Sequence, residues 1–228
     1  MRPLLLLDLD GTLVDHDSAE VEGVAGWLAA TGLPDEVDGE PSVLVWRRIT
    51  EAVLPDYFHG RLGLQEQRRI RVRRFLQLLG VDTSAMTDEE AGEQFREYHR
   101  RYAAAWRAFP DVVPALTRLR ETHRLAVLTN GDQDHQEGKL RATGLTDLVE
   151  RTIATSSIGA AKPEPAAFLR ALEQLGEQPA GATYVGDRLD VDARGATAAG
   201  LTGVWLDRAG TEAPAPDVRT IRTLADLP

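Results

Sequence analysis

Four consecutive leucines, Leu4–Leu7, run directly into Asp8-Leu9-Asp10-Gly11-Thr12, and this stretch restricts the fold more than any other. An apolar run of strand length that ends in charge fits a β-strand buried on both faces, as in parallel sheets. Side chains alternate along an extended chain, so Asp8 and Asp10 face one way and Leu9 the other. Gly11 permits a sharp exit that a side chain would resist. Two carboxylates therefore meet at the carboxyl end of a buried strand, where open α/β sheets place their ligands. A divalent cation is the common relief for their repulsion.

The rest of the chain alternates between two textures. Residues 16–107 carry helix formers with apolar positions three and four apart, over Ala19–Ala30, Ser42–Val53, Gly63–Leu79 and Thr87–Phe109. In the third, Leu64, Val72, Phe75, Leu76 and Leu79 share one face and arginines the other. Thr87 and Glu90 have the spacing of a capping box. No β alternation interrupts this region, which reads as a small helical bundle. Beyond it, apolar strands at 125–131, 152–155, 182–187 and 203–206 alternate with helical segments, before a Pro/Ala-rich surface loop at Thr211–Asp217 and a short final element. Such alternation predicts an α/β fold: a Rossmann-like, doubly wound parallel sheet with helices on both faces. The expected division is an α/β core from 1–15 plus 108–228 and an inserted α-helical domain over 16–107.

Bulk properties narrow the function. A chain of 228 residues accommodates a core domain with an insert. The net charge of −10 disfavours nucleic acid as a partner. The absence of cysteine excludes disulfides and thiolate metal sites. No apolar run approaches the roughly 18 residues of a membrane span. Arg2 and its leucines resemble the start of a signal peptide, but Asp8 ends them short of the roughly 7–15 residues of such a core. A cytoplasmic protein without membrane contact is expected. Of 26 basic residues, only Lys139 and Lys162 are lysines.

Polar clusters fall at or just beyond the carboxyl ends of the expected strands: Asp8/Asp10, Thr129-Asn130-Gly131, Lys162, and Asp187 with Asp190 and Asp192. In a doubly wound sheet these ends converge on one crevice. Asp190 reads as a residue at a helix N-terminus, favoured there by the dipole. The order Asp-x-Asp-Gly-Thr at Asp8–Thr12, a hydroxyl-ended strand at Thr129, Lys162 before Pro163 and Gly-Asp-x-x-x-x-Asp at Gly186–Asp192 resembles the haloacid dehalogenase-like superfamily of hydrolases. The helical insert resembles the all-α cap of that family's first cap class.

The resemblance implies a sheet of five parallel strands, with the first and fourth as neighbours. It implies a Mg²⁺-dependent phosphatase on a small phosphate ester, working through an aspartyl-phosphate. Asp8 is then nucleophile and metal ligand, and Asp10 is acid–base with its backbone carbonyl on the metal. Asp187 is a further metal ligand; Asp192 either reaches the metal through water or orients Lys162. Thr129, the amides after it at Asn130 and Gly131, and Lys162 hold the phosphoryl group.

A phosphosugar mutase of the same family is the alternative. A 2-haloacid dehalogenase is disfavoured because those enzymes do not have the aspartate at the position of Asp10. A receiver-type phosphoacceptor would carry its acceptor on a central strand well into the chain. Within the insert, Arg61, Arg68, Arg69, Arg71, Arg73 and Arg74 either grip a second anionic group of the substrate or form a solvated face, and the solvated face is the expectation. Trp46, Tyr57, Phe58, His59 and Trp106 are expected mostly in the bundle core, and His16 and Asp17 at the first hinge. A monomer or a homodimer fits equally.

Overall fold

The computed structural model describes residues 2–210 and 215–228, so residues 211–214 of the expected surface loop lie outside the described residues. The chain divides into two compact units, Met1–Asp15 with Arg107–Pro228, and His16–Trp106.

The first unit is built on a six-stranded sheet in the order β5-β4-β1-β6-β7-β8, with every neighbouring pair parallel. Its strands are β1 (Leu4–Leu7), β4 (Arg124–Thr129), β5 (Arg151–Ala154), β6 (Ala182–Gly186), β7 (Thr202–Leu206) and β8 (Arg219–Ile221). The leucine run sits near the centre, with Leu7 opposite both Val127 and Val185. Leu5, Leu7 and Leu9 pack on one face with Val127, Val185 and Leu116. Leu4 and Leu6 pack on the other with Phe168, Leu172 and Tyr184. Burying such a side chain contributes about 1.5–3 kcal/mol, so this strand is anchored from both layers. The sheet has one strand more than expected. β8 is three residues long, two of them polar and exposed, and it pairs Val204–Leu206 along an edge.

The helices of this unit are α5 (Val112–Leu119), α6 (Gln133–Ala142), the single turn α7 (Thr155–Ile158), α8 (Pro165–Leu175) and α9 (Gly195–Ala198). The helical segment between β6 and β7 opens as a π-helical turn, Leu189–Arg194, before α9. Such turns occur often at functional sites.

The second unit contains α1 (His16–Thr31), a two-stranded ribbon of β2 (Glu36–Val37) and β3 (Glu40–Pro41), and helices α2 (Ser42–Phe58), α3 (Leu64–Leu78) and α4 (Asp88–Ala104). The ribbon corrects the purely helical expectation: its strands are too short to show alternation, and Asp38 and Gly39 turn between them at φ 52° and 81°. The Thr87–Glu90 capping box forms as expected. The core stacks Trp27, Trp46, Phe75 and Tyr98 with ring centroids 4.7–6.0 Å apart.

The expected arginine face of α3 is corrected at two positions, and Arg68 is one, its guanidinium 4.9 Å from the Phe95 ring. Arg71 is buried, with its guanidinium 4.5 Å from the Trp46 ring and 5.6 Å from Phe95. Arg69 and Arg73 pair with Asp88, and Arg61 with Asp56, as a solvated face would. Of the aromatics expected inside, Trp46 is fully buried and Trp106 packs at the margin, whereas His59 is exposed. His16 and Asp17 form the first turn of α1.

Candidate active site

At the carboxyl ends of β1, β4 and β6 the sheet stops being apolar. Asp8 follows β1 directly, and its backbone N–H still donates to Val185 O at 2.9 Å. The Asp8 side chain is 9% exposed. Its Oδ1 lies 2.7 Å from Lys162 Nζ, whereas Oδ2 accepts no hydrogen bond from the described residues. Lys162 places all three N–H donors: the others go to Asp192 Oδ1 at 2.7 Å and Tyr184 Oη at 2.6 Å. Tyr184 in turn donates to Leu128 O at 2.8 Å.

Carboxylates outnumber the ammonium here, and the titration behaviour follows. Burial pushes Asp8 up to about 6, with Lys162 pulling it down and Asp192 pushing it up. Burial, then Asp8 and Asp192, hold Asp187 well above the ordinary carboxylate range although its surface is partly open. Burial alone would discharge Lys162, but Asp192 and Asp8 outweigh it and hold its ammonium above the ordinary lysine value.

Asp8, Asp187 and Asp192 bring carboxylate oxygens within 4.8 Å of one another. The set is all hard oxygen, which suits Mg²⁺. Asp192, however, spends Oδ1 on Lys162 and Oδ2 on the Arg188 N–H at 3.0 Å. Both of its oxygens are thus engaged within the protein. Asp8 and Asp187 remain as carboxylates with capacity for a cation. Asp190 is exposed on the π-helical turn, paired with Arg194, away from these groups.

The loop after β1 is fixed closely. Thr12 Oγ1 donates to Asp187 Oδ1 at 3.1 Å, and Arg208 Nη2 donates to Thr12 O at 2.8 Å. Gly11 has φ 79°, and a Cβ there would come 2.3 Å from Asp187 Oδ2. Glycine is needed both for the turn and for the approach of Asp187. Gly11→Ala is expected to cost about 1–2 kcal/mol through the left-handed backbone alone and to displace Asp187. Thermal denaturation and Mg²⁺ titration read the two effects; wild-type values in both would contradict the requirement.

Thr129 is buried and its Oγ1 accepts from Gln136 Nε2 at 3.0 Å, leaving the hydroxyl proton for another partner. Asn130 uses its side chain to clamp the Lys162 backbone, donating to Lys162 O at 3.0 Å and accepting from Lys162 N at 2.9 Å. The Gly131 N–H donates to Thr155 Oγ1 at 3.1 Å. The Asn130 side chain and the Gly131 N–H thus hold the lysine loop and the exit of β5.

Lys139 was not expected here at all. It is 2% exposed and its Nζ lies 2.6 and 2.7 Å from the two oxygens of Asp10. The available signal was the scarcity of lysine, with only two among 26 basic residues.

The profile of haloacid dehalogenase-like hydrolases matches residues 3–200. The chain belongs to that family. A glyceraldehyde 3-phosphate phosphatase of Methanopyrus kandleri is 39% identical over 112 residues, 49% of this chain and 48% of its own length. The match thus spans about half the length of that relative. A ribulose-1,5-bisphosphate 5-phosphatase of Halopiger xanaduensis is 28% identical over 242 residues, covering 100% of this chain and 99% of its own. Among solved structures, a 2-haloacid dehalogenase from Pseudomonas syringae superposes with a TM-score of 0.72 at 29% identity, over 100% of this chain and 96% of its own. Within the haloacid dehalogenase-like family, then, the similarity reaches both phosphatases and a dehalogenase, and the distinction rests on the residues of the site.

Proposed function

We propose that this chain is a Mg²⁺-dependent phosphatase acting on a small phosphorylated metabolite. The observation that carries the reading is the division of Asp8: Lys162 holds one oxygen while the other is left to attack. Asp8 and Asp187 would hold the cation, with the Asp10 carbonyl as a further donor by family resemblance, and the bound cation neutralises charge on the phosphoryl oxygens.

The side-chain steps follow from the geometry. Asp8 Oδ2 attacks phosphorus as the bond to the leaving oxygen breaks, and that oxygen takes a proton from Asp10. Water then attacks the aspartyl-phosphate, giving a proton to Asp10, and the bonding pair returns to the Asp8 carboxylate. Thr129 offers its hydroxyl proton to a phosphoryl oxygen, and Lys162 keeps Asp8 aligned. Phosphatase names among the relatives support this class of substrate. The dehalogenase reading shares the nucleophile but has no task for Asp10, which this chain anchors through both oxygens.

Hydrolysis of aryl phosphate is expected to require Mg²⁺. Loss of chloride from chloroacetate with no phosphate ester cleaved would reverse the assignment. Transfer of phosphate to a second sugar hydroxyl in place of its release would indicate a mutase.

The raised carboxyl groups make cation binding depend on pH. Ligands must be ionised to bind, so protons on Asp8 and Asp187 compete with the cation. Mg²⁺ affinity, read by calorimetry, is expected to weaken as pH falls through about 6, with proton release on binding. Affinity unchanged between about pH 5 and 8 would show that these carboxylates are not the ligands.

A further inference from the structure

Asp10 is held by one face of α6. Gln136 and Lys139 lie three residues apart, the spacing that places side chains side by side on a helix. Lys139 Nζ reaches Asp10 Oδ1 at 2.6 Å and Oδ2 at 2.7 Å. Gln136 Nε2 lies 3.2 Å from Asp10 Oδ2, 3.0 Å from Thr129 Oγ1 and 2.9 Å from Asn130 O. Lys139 is 2% exposed, against 25% for the Asp10 side chain. A buried ammonium costs free energy unless it is paired, and both oxygens of Asp10 supply that pairing. The helix fixes the lysine, the lysine fixes the carboxylate, and the glutamine ties the carboxylate to the hydroxyl at the end of β4.

We infer that Lys139, seconded by Gln136, is a positioning residue that sets the angle at which Asp10 meets the water attacking the aspartyl-phosphate. This rests on the phosphatase reading above and deepens it. In that step the water oxygen bonds to phosphorus and one water proton passes to Asp10. The phosphorus–Asp8 bond breaks, its electron pair returns to Asp8, and inorganic phosphate leaves. The Asp10 proton then serves the leaving oxygen of the next substrate. Lys139 itself gives up and takes no proton in this step and acts through Asp10 alone. Without it, the carboxylate loses the two short contacts at 2.6 and 2.7 Å and keeps the longer one to Gln136; it then shifts off line, and a misplacement of about 1 Å costs about 10²-fold.

The test uses Lys139→Met with p-nitrophenyl phosphate and saturating Mg²⁺. Departure of nitrophenolate needs no proton, so formation of the aspartyl-phosphate is spared and its hydrolysis is not. The expected result is a burst of nitrophenolate stoichiometric with enzyme, then turnover slowed about 10²-fold, with kcat and KM falling together and kcat/KM nearly kept. Lys139→Met added to Asp10→Asn should cost nothing further, since the lysine acts through that carboxylate.

A variant with unchanged kcat and no burst would overturn the inference. So would kcat and kcat/KM lost in parallel, the pattern of a folding defect, or full additivity with Asp10→Asn. Should Lys139→Met fail to fold, Lys139→Gln keeps one donor and must still show the burst. Failure of the parent protein to cleave aryl phosphate would instead remove the phosphatase reading, a different outcome from an active parent with a burst-free variant.

Discussion

Asp8→Asn is expected to abolish phosphate ester hydrolysis while leaving the fold in place. The substitution is nearly isosteric and removes only the charge that attacks phosphorus. Loss of a nucleophile that acts together with its acid–base partner costs on the order of 10⁶-fold in kcat. Stability should not suffer, because Asp8 is a carboxylate that burial and Asp192 already push towards protonation. Without cation, neutralising it removes a repulsion with Asp187 and Asp192 and leaves Lys162 paired with Asp192. Steady-state hydrolysis with and without Mg²⁺, beside a thermal melt, checks both halves. Activity within tenfold of the parent would remove Asp8 from the nucleophile role.

The second large effect is on stability. Lys162→Met removes the ammonium that meets Asp8, Asp192 and Tyr184 at 2.6–2.7 Å. Asp192 is fully buried and Asp8 nearly so. Breaking a buried ion pair from one side leaves charge without compensation, at a cost of about 3–5 kcal/mol. Denaturation of the core unit should shift by that amount. The combination with Asp192→Asn should recover part of it, since the uncompensated carboxylate is then gone. Equal stability of Lys162→Met and the parent would mean that the lysine is solvated in solution.

What could be read from the amino acids alone was set by local pattern. The leucine run gave its own burial on both faces, because strand alternation leaves Leu4/Leu6 and Leu5/Leu7 no exposed side. Asp8 and Asp187 follow β1 and β6 directly and Thr129 ends β4, strands that read plainly, whereas Lys162 in the loop after α7 was legible only from its place in the motif order. Features that depend on distant partners were illegible. Asn130 looks like a turn residue until its side chain is seen holding the backbone of Lys162. Lys139 looks like any helical surface lysine until α6 turns it towards Asp10. β8 and the β2–β3 ribbon are too short to carry a period, and Arg71 enters a core through stacking on rings that the sequence keeps far apart.

The two lysines have one more consequence. Both side chains are 2% exposed and both sit on site carboxylates. A protease that cuts only after lysine therefore finds no ready bond on the folded core, and proline at 163 shields the bond after Lys162. Cleavage after Lys139 waits for α6 to come away from Asp10, so the digestion rate measures how often that region opens. A ligand that binds only the closed form should slow it by the factor 1 + [L]/Kd, which would let phosphate compounds be ranked by protection before any turnover is measured.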